Sequence, residues 1–516
     1  MERRGQAGFP PAEREIVRPK NLHPWAIALG LGALALLLGA ERFHTYWEPQ
    51  QPVITTEALI GHGLWQGRWL YSDLWDFHPP AFAFSYALAE ALGGYGPYSI
   101  FLLNLGLAGG LLIALGLAGW AYGGLGAGCV AAGLWTLVSG DPGLWANQPF
   151  AETFANLFLA WAFFWLLRAK KTPEDWKPRG WAGFFLAVAS LYKVSVLGLA
   201  PLWALALWGA SGEKKARRDR KGSFWLLALP AALWFLIFIY FASTGRGGEF
   251  TSDVFVYPIF QLAQSNAGAA FYTPALGLVV PLGLAAFLGA CLAFQAQARS
   301  WLLLGAYGVW VLMETSCASF SPPSYQCWLP PLVAGAAWGL WELGRWIETF
   351  NRRLVWAPAF LILAFAFCRE WPLYQKWAAD WSRIKAGEAA VESYNLARNL
   401  QDVLKPKETF YEWGDETQLY YLTQREAPSG VLACDPLIRG PLAETLSARV
   451  AEDLRRHPPD LFLFNRVESR RAAASNPVLA QVASNYRLLT RIPPVGGILF
   501  FARKGSDLEK RFERRP

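Results

Sequence analysis

Apolar residues run through this chain in long unbroken blocks, not in the alternation of a half-buried strand or the narrow stripe of a surface helix. A bilayer core of roughly 30 Å needs about 17 to 25 such residues per crossing helix. By that measure the blocks at 24–41, 98–119, 122–139, 152–168, 181–192, 195–209, 223–243, 274–295, 300–315, 325–344 and 354–369 read as spans, several of them short. The pattern predicts a mainly α, polytopic transmembrane helical bundle of about eleven spans, give or take two.

Beyond residue 370 the apolar runs shorten and charge rises. Strand-like stretches at 410–413, 461–464 and 498–502 alternate with polar helical ones such as 388–404, which predicts a small soluble α/β domain over 370–516. Between the first two strong spans, 79–94 is amphipathic: it either lies in the membrane interface or needs a crossing partner that the pattern does not show. There is no internal repeat of the kind that builds many transporters.

Composition agrees with lipid as the main solvent: 54% of residues are hydrophobic, 27 are Trp and 17% are charged. The net charge of +8 sits in short clusters between spans, at Lys170 and Lys171, across 214–221, and at Arg352 and Arg353, so it marks cytoplasmic loops and contacts with anionic lipid rather than a nucleic-acid site. Placing those loops inside makes 1–23 a cytoplasmic tail. The 42–97, 140–151, 244–273 and 316–324 loops, and everything after the last span, then fall on the outer side. Six cysteines without close pairs and five scattered histidines predict neither a disulfide framework nor structural zinc.

The first outer loop, 42–97, carries the densest polar signal. Glu57 opens an amphipathic stretch with Leu59, Ile60, Leu64 and Trp65. A carboxylate held there, partly out of water, has its pKa raised and becomes a general base. The alternative is an ordinary helix-start acid. Arg246, flanked by Gly245, Gly247 and Gly248, is placed to reach a phosphate or to be a plain loop residue.

The run TTEALIGHGLWQGRWLYSDLWDFHPPAFAFSYALAEALGG resembles the first outer loop of the GT-C glycosyltransferases, the superfamily of protein mannosyltransferases and lipid A aminoarabinose transferases, at Glu57, Gly67, Tyr71, Asp73, Asp76, Pro79 and Pro80. Further similarities fall on NQPFAETF, which points to Glu152; on SLYKVSVLGLAPLWALAL, which points to Lys193; on PPSYQCWLPPLVAGAAW, which points to Tyr325; and on FYEWGDETQLYYLTQREAPSG in the tail. The likeness implies a GT-C-like membrane domain over 24–369. The implied enzyme moves sugar from a polyprenyl phosphate carrier to an extracytoplasmic acceptor, in a bacterial plasma (inner) membrane. Glu57 and Asp76 would be catalytic, while Asp73, His78, Glu152, Lys193, Arg246 and Tyr325 would bind substrate. No metal is assigned, although paired acids allow a divalent one. Three departures stand out: Thr56 replaces the Asp before the first Glu, His78 replaces the Lys of the Pro-Pro motif, and Ser324 replaces a His. A histidine is a weaker phosphate anchor than a lysine at neutral pH unless its pKa is raised. Two other readings follow from the same features: a transporter or flippase of lipid-linked substrates, and a catalytically silent relative.

Overall fold

The computed structural model describes residues 24–171, 175–209, 213–264, 273–318, 321–466, 475–490, 492 and 494–514. The expected tail at 1–23 lies outside these.

The chain is mostly helical. In order come α1 (Pro24–His44), α2 (Pro52–Trp65), α3 (Ala81–Gly93), α4 (Pro97–Gly123), α5 (Leu125–Val138), α6 (Ala151–Lys171), α7 (Lys177–Ser190) and α8 (Leu199–Gly209). Then follow α9 (Glu213–Ser243), α10 (Gly247–Thr251), α11 (Tyr257–Gln264), α12 (Thr273–Cys317), α13 (Leu329–Glu348) and α14 (Ala357–Glu370). Among the described residues, Pro97–Gly123, Ser223–Ser243 and Pro274–Phe294 are each long and apolar enough to cross a membrane, and Leu125–Val138 and Val194–Trp208 are shorter apolar helices. The segments expected at 274–295 and 300–315 meet directly at Gln297 (φ −124°, ψ 24°), which breaks α12 where a four-residue loop was expected. The basic stretch 214–221 is helical as well, because α9 starts at Glu213.

The amphipathic stretch 79–94 forms α3, which at 13 residues is about 20 Å long, too short to cross a bilayer core. Its Phe82, Ala83, Tyr86 and Ala87 are buried, while Phe84, Leu88 and Leu92 form an exposed apolar row. Between α12 and α13 small residues allow backbone contact, since a Cβ on Gly339 would lie 1.9 Å from the Ala285 carbonyl oxygen.

The C-terminal region adds α15 (Ala378–Ala386), α16 (Glu388–Val403), α17 (Gln418–Thr423), α18 (Asp435–Ile438), α19 (Ala443–Arg456), α20 (Pro477–Asn485) and α21 (Asp507–Arg514). Its four strands, β1 (Phe410–Trp413), β2 (Leu461–Asn465), β3 (Tyr486–Leu488) and β4 (Ile498–Arg503), make one sheet in the order β1-β2-β4-β3. β1 and β2 are parallel, with Phe410 opposite Leu461, so the chain between them must cross over, and α17 to α19 make that crossing. β4 is antiparallel to β2 and to β3. Every residue of β1 is buried.

Several contacts fasten this region to the bundle. The Trp75 N–H donates to the Gly430 carbonyl at 3.0 Å, and the Thr417 hydroxyl donates to the Pro52 carbonyl at 2.9 Å. A third lies deeper: Lys385 on α15 is 2.6 Å from Glu48, both side chains being essentially unexposed, and Asn147 donates to the other Glu48 oxygen. Nearby, Arg42 donates to the Ser139 carbonyl at 2.7 Å, and Arg369 pairs with Asp141 and Glu370. Removing one member of a buried ion pair leaves an uncompensated charge, at about 3–5 kcal/mol. Lys385→Met is therefore expected to lower the midpoint of thermal unfolding of the purified protein clearly, and adding Glu48→Gln to recover much of the loss. A single variant as stable as wild type would show that the pair does not hold the two parts together.

Candidate functional site

The site begins with the start of α2. Pro52 at its first turn presets the helical φ, and Ile54, Glu57, Ala58 and Gly61, at helical spacing, face inward. Gly61 is where α2 meets α3, since a Cβ there would sit 2.7 Å from the Ala87 nitrogen. That close crossing carries Glu57 inside: its residue is 0% exposed.

The segment after α2 folds back over it. Tyr71 adopts φ +71°, uncommon for a bulky residue, and its hydroxyl donates to the His78 carbonyl at 2.8 Å. Asp73 accepts from the Trp69 N–H at 2.7 Å and is otherwise exposed, so it shapes the turn. Asp76 is 3% exposed, and its Oδ1 accepts from the His78 backbone N–H at 3.1 Å. The His78 ring then completes a cluster, with Nδ1 2.8 Å from Asp76 Oδ1 and 2.9 Å from Glu57 Oε1. Glu57 Oε2 and Asp76 Oδ2 are buried without a hydrogen-bond partner.

Electrostatics follows from this enclosure. Burial, with the Asp76 charge adding to it, pushes the Glu57 carboxyl up to about 8. For His78, burial favours the neutral ring but is outweighed by Asp76 and Glu57, which hold its pKa up at about 10. The two acids thus favour the protonated His78 ring, which offsets the weakness of a histidine in place of the motif's lysine. One atom from each of the three residues lies within 4.8 Å of the others, a spacing that suits a divalent ion as well as a shared proton.

A second cluster sits beside the first. Lys193, in the turn after α7, lies 2.5 Å from Glu152 on α6 and 2.9 Å from Glu314 near the end of α12. Glu152 also interacts electrostatically with His78. Glu314 was not singled out from the sequence. The signal was there, as an acid inside an apolar run is a functional candidate by default.

The remaining expected residues stand apart. Arg246 stacks 4.4 Å over Trp69 and donates to the Leu70 carbonyl and the Tyr240 hydroxyl, both at 3.2 Å, so it clamps the turn from behind Tyr71. Tyr325 is buried in the 3-10 turn Pro322–Trp328, where the next residue, Gln326, accepts from Thr153 at 2.7 Å. Of the departures, Thr56 donates to Thr417 at 2.8 Å, and Ser324 to the Ser321 carbonyl at 2.6 Å. Asp253, another buried acid, was also missed; it lies in a π-helical turn, Ser252–Val256. Burial first, then the Asp76 charge, pushes its carboxyl up to about 8.

No family model and no curated protein matches the chain by sequence. Solved structures do match. The ArnT of Cupriavidus metallidurans bound to undecaprenyl phosphate superposes with a TM-score of 0.59 at 13% identity, over 94% of this chain and 99% of that one. The apo oligosaccharyltransferase of Archaeoglobus fulgidus gives 0.55 at 12% identity, over 94% of this chain and 75% of that one. The chain has the GT-C fold. Within that GT-C fold the sites expected from sequence gather in two places, Glu57 with Asp76 and His78, and Glu152 with Lys193.

Lys193→Met would leave Glu152 and Glu314 facing one another without their cation, a loss of about 3–5 kcal/mol for a buried pair. The variant is expected to unfold at a clearly lower temperature than wild type, and Lys193→Arg to lie between them. Equal unfolding temperatures for Lys193→Met and wild type would mean that the triad contributes nothing to the fold.

Proposed function

We propose that this protein is a multi-pass membrane glycosyltransferase that transfers a sugar from a polyprenyl phosphate carrier to an acceptor on the outer face of the plasma (inner) membrane. The observation that carries the reading is the buried Glu57–His78–Asp76 cluster on a GT-C fold. Support for the donor class comes from the neighbours, whose structures hold undecaprenyl phosphate in one case and dolichol-phosphate with an inhibitory peptide in another. In this reading the apolar helices of 24–369 cross the membrane, α2 and α3 lie along its outer surface with Phe84, Leu88 and Leu92 toward lipid, and 370–516 faces outward.

The chemistry follows from the charges. An acceptor O–H gives its proton to a carboxylate, and Glu57, made a stronger proton acceptor by burial, or Asp76 beside it takes that role. The acceptor oxygen bonds to the sugar's anomeric carbon as the carbon–oxygen bond to the phosphate breaks, and the bonding pair leaves with the phosphate. Negative charge grows on that leaving group, so cations must face it. His78, kept protonated by its two acids, is one. Lys193 is another once the phosphate draws it from Glu152 or Glu314. A divalent ion, if bound, would be held by Glu57, Asp76 and the neutral His78 ring and would supply positive charge to the same leaving group.

The test is sugar transfer from a panel of radiolabelled polyprenyl phosphate sugars in membranes containing wild type, Glu57→Gln or Asp76→Asn. One carboxamide variant is expected to lose about 10²–10⁴-fold of the transfer, the range for removing a general base, at unchanged expression. Undecaprenyl phosphate binding that survives in wild type without transfer from any donor would instead favour a silent relative or a transporter.

A further inference from the structure

The C-terminal region carries a cleft of about 330 Å³ that the proposed reaction leaves unused. It opens where the last turns of α19 and α20 meet the start of β3 and the end of β4. Among the described residues Arg455, Arg503 and Lys504 line it, and no acid does.

Two of these cations have an ordinary reason to be there. Arg455 lies in the last turn of α19 and pairs with Glu452. Lys504 donates to the Ser484 carbonyl at 2.6 Å, in the last turn of α20, where a cation suits the unpaired carbonyls of a helix end. Neither role neutralises the charge. Glu452 is shared between Arg455 and Arg456, and among the described residues no carboxylate lies within ion-pair distance of Lys504. Arg503 has no helix end to cap. It closes β4 and gives Nη2 to Asp460 at 2.7 Å, while among the described residues Nη1 has no hydrogen-bond partner and Nε is enclosed without one. A wall with excess positive charge and unused guanidinium donors is matched by the oxygens of a carboxylate or a phosphate.

Size and the other walls narrow the ligand further. The volume is at the lower end of the range for small-ligand sites, which begins at about 300 Å³, so the cleft takes one small charged residue and not a folded partner. Leu454 and Pro458 add an apolar patch. Asn485 adds a side-chain amide that makes no hydrogen bond among the described residues, one donor and one acceptor group ready for a hydroxyl. Charge, an apolar patch and an open amide together complement a sugar ring that bears an acid group.

We propose that this cleft binds an anionic sugar, with its carboxylate or phosphate held by Arg455, Arg503 and Lys504 and a ring hydroxyl held by Asn485. That the sugar belongs to the outer surface rests on the reading given above, which places 370–516 outside; the binding itself does not rest on it.

The experiment reads binding and not transfer, so its outcome is independent of the reaction. The full chain in nanodiscs of zwitterionic lipid is titrated by calorimetry with oligogalacturonate, glucose 6-phosphate, inorganic phosphate and neutral maltohexaose. At least one charged sugar is expected to bind more tightly than inorganic phosphate, and maltohexaose not to bind. Arg455→Gln combined with Lys504→Gln should weaken that binding about 10-fold or more, the order for hydrogen bonds to a charged group. Both side chains are exposed, so the double variant should unfold at the wild-type temperature, and Lys504→Arg, which keeps the charge, should bind as wild type does. Asn485→Ala should weaken the sugar and leave inorganic phosphate unchanged. No binding of either charged sugar, equal binding by wild type and the double variant, or inorganic phosphate bound as tightly as the sugars would each overturn the proposal. Sugar binding lost in discs that contain phosphatidylglycerol would overturn it too, and would assign the cleft to an anionic membrane surface.

Discussion

A charge withdrawn from water must find its counter-charge in the protein, and the polar interior of this molecule is arranged by that constraint. Glu57 is carried to zero exposure by the close crossing of α2 and α3, and once there it needs a partner. His78 meets the need, but only because the turn over 66–80 folds back far enough to bring the ring between Glu57 and Asp76. That fold-back is held from outside: by Arg246 stacked on Trp69, by Tyr71 on the His78 carbonyl, and by the hydrogen bond from Trp75 to Gly430. The catalytic geometry proposed here therefore depends on the C-terminal region as directly as on the bundle. A Cβ on Gly430 would lie 1.7 Å from the Asp73 carbonyl oxygen, which shows how little room that docking leaves.

The same constraint explains the second and third polar clusters. Lys193 lies between two carboxylates, and Glu48 takes Lys385, Asn147 and Ser382 around one side chain. Each joins segments far apart in the chain. In a low-dielectric interior, such links are specific because only one arrangement leaves no orphan charge. In the Lys193 triad, as in the Glu57–Asp76–His78 cluster, the acids outnumber the cation, so an incoming phosphate can exchange places with a carboxylate. A saturated one-to-one pair such as Glu48–Lys385 offers no such exchange, which fits a fastening role.

Legibility in the sequence followed the range of the interaction. Strands at 410–413, 461–464 and 498–502 were readable since a short apolar run bounded by polar residues is a local signal, and the structure has strands starting at the same three residues. The strand Tyr486–Leu488 was not, being three residues long with two of them exposed. Glu57, Asp76 and His78 were each readable as candidates, but not their meeting: Asp76 lies 19 positions after Glu57, past the rest of α2 and the turn that follows it, and no spacing rule predicts where a turn with a positive φ at Tyr71 returns. Glu314 was hidden by the apolar run around it. Glu48 and Lys385, 337 positions apart, carried no signal at all, because a lysine in a polar helix looks like any solvated one until the structure buries it.

The histidine at position 78 is the point where sequence and structure pull in different directions. Compared with the family pattern it is a loss, as a histidine free in water is mostly neutral at pH 7. In its setting that loss is offset, because Asp76 and Glu57 favour the proton on the ring. The exchange has a consequence for chemistry. A lysine beside these acids would be a fixed cation, whereas an imidazole can also accept a proton or turn its Nδ1 lone pair to a metal, so the same three residues can serve a proton-sharing site or a metal-holding one. What decides between them is whichever ligand arrives with more positive charge. The two buried oxygens without partners, Glu57 Oε2 and Asp76 Oδ2, are where it would be received.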